Sequence, residues 1–486
     1  MDLAISLDGA SDTPLYQQLA EALRRSVLQK RLKPNQKLPP SRALAKSLEI
    51  SRTTVTQSYD ILLSEGYFEA RRGAGTFVSP RLPEEYLQID RVAQKMLEQP
   101  GPMRLSRFGA GLQAAGLQAT AEPGGDISFR YGSPAAEHFP MALWRRLLAR
   151  HCQSTAALLN YSADAAGHMP LRKAIADYLG RSRAVQCCAA QVIIVSGSQQ
   201  ALELIARLTL DRGDWVAMEN PGYQGARRCF QGQGANLQGI PVDAEGIDVK
   251  ALRQCPQAFK LLYVTPSHQF PTGAILPLSR RLSLLQWAQQ AGTLILEDDY
   301  DSEYRYGGRP VPALQGLDQA NTVLYVGTFS KVLFPSLRIG YLVVPTAWVP
   351  LVSQAKWLCD RYSPLLEQYA LTDFMVEGHF EAHIRRMRHR YDQRRQALVD
   401  ALSHHLGSRA TVLGENAGIH LMAQIKTDLP DDAVIRRAQR LGVGLTSARG
   451  YYVTAPKRGE FIFGYTELDE SQIEEGIRRL SRVLTA

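Results

Sequence analysis

Cysteine is scarce in this sequence. Six stand among 486 residues (Cys152, Cys187, Cys188, Cys229, Cys255 and Cys359), with no Cys-x-x-Cys pair and no zinc-ligand spacing. That excludes a disulfide framework and a cysteine-built metal centre, and it predicts reduced thiols in a cytoplasmic protein. Long apolar runs are missing as well: none approaches the ~20 residues that a membrane-spanning helix requires. The opening residues Met1-Asp2-Leu3-Ala4 lack the basic start of a signal peptide. What is there, 45% hydrophobic and 21% charged residues, describes a globular chain. Its length is too great for a single core, so at least two domains are expected. The net charge of +9 permits an acidic partner such as nucleic acid without establishing one.

In the first eighty residues, Leu15, Leu19, Ala22, Leu23 and Val27 keep helical spacing behind Pro14. After Lys33-Pro34-Asn35-Gln36 and Leu38-Pro39-Pro40, a short helix is expected with Ser41 as its N-cap and Leu44 and Leu48 turned inward. A tight turn at Glu49-Ile50 leads to a second N-cap, Ser51. The helix that follows carries Val55, Tyr59, Leu62 and Leu63 on one face and Arg52, Thr53, Thr56, Gln57 and Asp60 on the other. This is a helix-turn-helix pattern, and the polar side chains are types that reach base edges and phosphates. Gly66 ends the helix. Tyr67-Phe68-Glu69-Ala70 and Thr76-Phe77-Val78 read as two strands around Arg71-Arg72-Gly73-Ala74-Gly75. Glycines at that tip let the backbone approach a phosphate, and the arginines supply charge. Residues 1–80 hold eleven basic and eight acidic side chains, so DNA binding rests on pattern and not on bulk charge.

Three of these stretches, Leu38-Pro39-Pro40-Ser41-Arg42, Ser51-Arg52-Thr53-Thr54-Val55 and Gly73-Ala74-Gly75-Thr76-Phe77-Val78, resemble the winged helix-turn-helix of GntR-type bacterial regulators. The resemblance implies that Arg42, Ser51, Arg52, Thr53 and Thr56, with Arg72 and Gly73 in the wing, meet DNA. Gln57 and Arg71 join them because they lie on the same face and the same tip.

From residue 80 to 125 the periodicity weakens. The stretch 84–97 admits a helix, the stretch 109–121 has little to bury, and Gln99-Pro100-Gly101-Pro102 and Glu122-Pro123-Gly124-Gly125 are breakers. The expected organisation is a head at 1–79, a tether at 80–125 and a large domain at 126–486. In the large domain, apolar strand candidates at 192–195, 215–218, 260–264, 293–296, 323–326 and 339–343 alternate with helical stretches such as 202–210 and 278–291. That pattern predicts an α/β fold with a mainly parallel sheet covered on both faces, and ligands at the carboxyl ends of its strands.

Polar motifs cluster at those ends. Thr328-Phe329-Ser330-Lys331, followed by Arg338, places a lysine just past a strand, where a lowered pKa makes a Schiff-base nucleophile. Ser196-Gly197-Ser198 opens a helix and forms a phosphate cradle. Asp298, in Glu297-Asp298-Asp299-Tyr300, can keep a pyridine nitrogen protonated, and Tyr300 can reach a phenolic oxygen. Tyr223, after Asn220-Pro221-Gly222, can stack on a flat ring. Each alone has an ordinary structural explanation; together they are the parts that pyridoxal phosphate needs.

Their order resembles fold-type-I aminotransferases, over roughly residues 126–486. The resemblance implies a smaller C-terminal α+β domain and makes Lys331 the Schiff-base lysine. It makes Asp298, Tyr300 and Tyr223 the ring partners, and Ser196, Gly197, Ser198, Thr328, Ser330 and Arg338 the phosphate binders. Tyr161 would reach the phosphate from a second subunit, and Arg449 would grip an effector carboxylate. One position departs from the pattern. Phe270 stands where the family's Asn-Pro-Thr-Gly segment has its asparagine, leaving His268 or Gln269 to replace that contact. The arginines of 385–395 read as a solvated helix face or a secondary DNA-backbone surface. Head and large domain together resemble the MocR/GabR-type regulators. That implies a cytoplasmic homodimer on a DNA operator with two half-sites, responding to an amine, an amino acid or pyridoxal phosphate itself. Residual transamination stays open.

Overall fold

Prolines set the start of the head. Pro14 precedes helix α1 (Leu15–Leu28) and Pro40 precedes α2 (Ser41–Ser47). The expected N-cap Ser41 is instead the first residue of α2. Pro40 takes the cap position, where its missing N–H leaves nothing unpaired. Ser51 does cap α3 (Arg52–Ser64), its hydroxyl accepting from the Thr54 N–H. Glu49, in the turn between α2 and α3, has φ +53, a left-handed conformation that lets the chain double back. Strands β1 (Phe68–Arg71) and β2 (Gly75–Val78) pair antiparallel to form the wing. Leu19, Leu23, Val27, Leu44, Val55, Tyr59, Leu62, Phe68 and Val78 close one small core.

The computed structural model describes residues 5, 7–9, 11, 13–82, 104–115, 124–153, 158, 160, 164–307, 311–454 and 456–485. It forms two compact units, Met1–Arg104 and Leu105–Ala486. The helix expected at 84–97 lies outside the described residues. Part of the expected tether, Arg107–Ala115, is a helix of the second unit. Near its start the Phe108 ring lies against Gly232, a contact within that unit.

The second unit is built on eight strands: β4 (Val192–Val195), β5 (Trp215–Asn220), β6 (Asn236–Asp243), β7 (Gly246–Ile247), β8 (Phe259–Val264), β9 (Leu294–Asp299), β10 (Val323–Thr328) and β11 (Gly340–Val343), in the order β4-β11-β10-β9-β8-β5-β6-β7. Strands β6, β5, β8, β9 and β10 run parallel. β11 is antiparallel to both of its neighbours, and β7 to β6. Ile193, Val195, Leu261, Tyr263, Leu324 and Val326 face a core with the helices Ser198–Thr209 and Gln224–Gly232. Val192, Ile194, Leu262, Val264 and Ile295 face the helices on the opposite side. Burial on both faces is why these strands read as unbroken apolar runs, each buried aliphatic side chain contributing about 1.5–3 kcal/mol. β6 escapes the sequence reading because its residues mix exposed and half-buried positions around a single buried one, Ile240, with no clean period.

A smaller layer follows. Its antiparallel sheet orders β12 (Ala410–Leu413), β13 (His420–Ile425), β16 (Glu460–Gly464) and β15 (Thr446–Ser447), packed against the helices His379–Leu406 and Glu470–Thr485. The segment after residue 124 joins it: β3 (Ile127–Ser128) pairs with β14 (Val443–Gly444). Among the described residues no helix is long and apolar enough to cross a membrane.

Candidate cofactor site and DNA-binding surface

β9 and β10 deliver the chemistry. Alternation along β9 sends its two adjacent aspartates to opposite faces. Asp299 is framework: Arg183 Nε donates to it at 2.9 Å and the Tyr325 hydroxyl at 2.6 Å. Asp298 faces a cavity, where the Tyr263 hydroxyl donates to Oδ2 at 2.7 Å and Oδ1 is buried without a partner. Burial raises the Asp298 pKa to about 7, with Asp299 and Asp301 adding to the rise and Tyr263 and Lys331 opposing it.

Lys331 lies just past β10, in the turn that Thr328 caps by accepting from the Ser330 N–H at 3.2 Å. Its amine donates to the Gly132 carbonyl at 2.6 Å. Desolvation lowers the lysine pKa, as do Arg130 and Arg338, against the pull of Asp301 and Asp298. More of the amine is therefore in its nucleophilic form at neutral pH. Gly132 has φ +92, and a Cβ there would stand 2.8 Å from the amine, so any other residue would be strained in its backbone and would push the lysine from its seat.

The same cavity gathers Ser198, Tyr223, Asp298, Tyr300, Thr328, Ser330, Lys331 and Arg338 of the sequence-predicted set. Ser330 Oγ is buried and unpartnered. Gly197, at φ +82, precedes the helix Ser198–Thr209, whose N-terminus points its free N–H groups at the cavity's edge. A Cβ on Gly197 would meet the Arg338 guanidinium at 2.9 Å. Ser196 stands outside the lining: its N–H donates to Gln200 and its carbonyl accepts from Arg338. Arg449 is exposed in the turn Ala448–Tyr451, whose end residues are buried, and it also lies outside the lining. Tyr161 is outside the described residues.

The two candidates to replace the missing asparagine do not line the cavity. Gln269 spends its amide on Glu219, the carbonyls of Pro221 and Phe270, and Thr272. His268 is packed behind Tyr300 with Asp301. Phe270 itself lines the cavity beside Tyr131, Tyr223 and His420. Sequence reading also passed over Gly132 and Tyr263. Gly132, in Tyr131-Gly132-Ser133-Pro134, carried only an ordinary turn signal, and Tyr263 was indistinguishable from core. The arginines of 385–395 divide: Arg385, Arg386 and Arg388 are exposed, and Arg390 and Arg395 are half-buried. Arg394 is buried on the Thr466 carbonyl, Arg388 bonds the Glu303 carbonyl and Arg395 pairs with Asp392.

The residues present fit pyridoxal phosphate. A protonated ring nitrogen supplies the donor that Asp298 Oδ1 lacks, and a phosphate supplies the partner that Ser330 Oγ lacks. Bound, the group supplies an aldehyde that condenses with amines and an electron sink behind it.

The head offers a different surface. Arg42, Ser51, Arg52, Thr53, Thr56, Gln57, Arg71, Arg72 and Gly73 are all exposed. Arg52 is steadied by Ser41 Oγ at 3.4 Å. The Thr56 hydroxyl donates to the Arg52 carbonyl at 3.0 Å and so presents only lone pairs outward. Arg71 is held by Glu69 and Asn35 and lies over the Phe77 ring at 4.5 Å. Arg72 and Gly73, the latter at φ +77, form the wing tip.

Two family models match: "Bacterial regulatory proteins, gntR family" over residues 15–78 and "Aminotransferase class I and II" over residues 153–480. The probable rhizopine catabolism regulatory protein MocR of Rhizobium meliloti is 40% identical over 99% of this chain and 96% of its own length. The pyridoxine biosynthesis regulator PdxR of Corynebacterium glutamicum is 31% identical over 99% of this chain and 98% of its own. Among solved structures, the alpha-aminoadipate aminotransferase LysN of Thermus thermophilus, complexed with N-(5'-phosphopyridoxyl)-L-leucine, matches with TM-score 0.71 and 31% identity. That match covers 78% of this chain and 98% of LysN. With a winged head for DNA and a second unit for pyridoxal phosphate, in one order along the whole length, the chain belongs to the MocR-type regulators: GntR-family transcriptional regulators that carry an aminotransferase-like domain.

Proposed function

We propose that this regulator changes its hold on DNA when an amine or amino acid reacts at Lys331. It acts in the cytoplasm as a homodimer on an operator with two half-sites. The observation that carries this reading is the Lys331 amine, held at lowered pKa beside the unpartnered Asp298 and Ser330 atoms. Pyridoxal phosphate held here would offer an incoming amine the aldehyde that Lys331 otherwise occupies, with Asp298 placed to hold the ring proton and Ser330 and Arg338 to hold the phosphate. Arg449, two residues before Tyr451, is the cation for a carboxylate when the effector carries one. For DNA geometry to respond, the effector must bind two arrangements of the protein with unequal affinity. The expected result for Lys331→Ala is loss of the visible cofactor band and of every amine-dependent change in operator binding, with basal binding kept. An unchanged amine response overturns the scheme.

The likeness to PdxR favours a second reading, in which pyridoxal phosphate itself is the signal. Operator binding would then change on adding the cofactor, with no amine present. Single-turnover mixing with amino acids measures any transamination that accompanies either response.

A further inference from the structure

The hydroxyls around the cavity are mostly spoken for. Tyr263 donates to Asp298, Thr265 donates to Glu219, and the Tyr131 hydroxyl meets that of Tyr451. Tyr300 is placed differently. Its oxygen lies 3.0 Å from Nδ1 of His268, and that nitrogen lies 3.0 Å from both carboxylate oxygens of Asp301. A carboxylate only accepts, so Nδ1 carries a proton and shares it between Asp301 and the Tyr300 oxygen. The tyrosine's own proton then finds no acceptor on His268 and turns into the cavity. Were Nδ1 bare, the hydroxyl would point at the imidazole and show the cavity only lone pairs. The direction of the Tyr300 hydroxyl is therefore set by Asp301, the next residue along the chain, acting through the imidazole.

The pair behind the tyrosine is tightly held. His268 is 2% exposed and Asp301 1%. The Ile419 N–H donates to Asp301 at 3.2 Å, and the His268 ring packs against His420 with centroids 4.9 Å apart. On the cavity side, Phe270 stands 6.1 Å from the Tyr300 ring and has nothing to donate.

We propose that His268 and Asp301 are positioning residues that make Tyr300 a hydrogen-bond donor to the phenolic oxygen of bound pyridoxal phosphate, the contact that Phe270 does not supply. The proposal rests on the cofactor reading of this cavity. A donor at that oxygen stabilises its anionic form and lowers the pH at which the visible cofactor band titrates.

The test uses the full-length protein loaded with pyridoxal phosphate. Asp301→Asn is isosteric but offers an N–H to Nδ1, which moves the imidazole proton to Nε2 and reverses Tyr300. His268→Phe removes the donor outright, and His268→Gln returns one. Asp298, Asp299, Glu219, Lys331 and His420, other ionisable groups around the tyrosine and the pair behind it, stay unchanged in every arm. Asp301→Asn and His268→Phe are expected to raise the midpoint of the band by about one pH unit, a tenfold change for one charge-assisted hydrogen bond. His268→Gln is expected to recover part of the shift, and neither change should add to Tyr300→Phe. Thermal melts confirm that the comparison is between folded proteins; if His268→Phe does not fold, Asp301→Asn decides. A midpoint left at the wild-type value, or shifts that add fully to Tyr300→Phe, overturn the relay alone. Wild type that stays colourless on loading overturns the cofactor reading and the relay together. The His268, Asp301 and His420 atoms lie within 4.8 Å of one another, so stoichiometric zinc at that cluster, with the shift reproduced by chelation, also overturns it.

Discussion

The two working surfaces of this protein are built on opposite physical plans. In the head, the side chains assigned to DNA stand in solvent, and most are steadied by at most one neighbour. In the second unit, most of the assigned side chains surround a cavity, and Asp298, Tyr300 and Thr328 are hydrogen-bonded to buried neighbours. A DNA duplex brings its own phosphates and base edges, so the head can leave long side chains free to adapt. A small cofactor cannot compensate for a misplaced group, and its site must be organised beforehand.

If that contrast holds, substitutions in the two units fail in different ways. The largest expected effect is at Asp299. Asp299→Asn leaves the buried Arg183 guanidinium without its counter-charge and should cost about 3–5 kcal/mol of stability, read by denaturant unfolding. Asp298→Asn, one residue earlier, should leave the fold near wild-type stability and weaken cofactor binding and colour. Equal destabilisation by both would break the distinction between framework and site. In the head, Arg52→Ala should leave stability unchanged and weaken operator binding by about 1–3 kcal/mol, with relaxed preference at the base it contacts. A titration of stability against pH tests the buried plan further. Asp298 is raised from 3.8 to about 7 in the folded cofactor-free protein, so there the folded state holds a proton that the unfolded chain releases. Stability should therefore fall as pH rises from about 4 to about 7. Glu219, Glu297 and Glu303, also raised to about 7, contribute to the same slope. Asp298→Asn should flatten it in part, and loading the cofactor should do likewise. The smallest effects separate two neighbours in the wing. Arg72→Ala should lower the slope of log K against log salt by about one phosphate contact. Arg71→Ala should change that slope less, because its guanidinium is already held by Glu69 and Asn35.

Much of this was legible in residue order. The buried strands announced themselves because burial on both faces demands unbroken apolar runs. Lys331, Asp298 and Tyr300 could be assigned because each stands at or just past the carboxyl end of an apolar strand, so that strand ends and chemistry share one address. What escaped had no sequence signal of its own. β6 presents a mixed face. Gly132 and Tyr263 meet Lys331 and Asp298 across gaps of many residues, and only the closed fold brings them together. The Asn-to-Phe270 departure pointed to His268 and Gln269 as substitutes at the cavity. The fold instead turns Gln269 toward Glu219 and sets His268 one layer back, behind Tyr300.

The seat of the lysine has one further consequence. The carbonyl that accepts from Lys331 belongs to Gly132, and the residues beside it are stitched to the small layer: Gly464 donates to the Phe129 carbonyl and Thr466 to that of Ser133. Lys331 itself issues from the large sheet. Its amine is thus a clasp between two layers, and a clasp can be undone by occupying its hook. Any carbonyl compound that takes the lysine frees the Gly132 oxygen, and the two layers lose a shared fastening at the place where an amine signal would arrive.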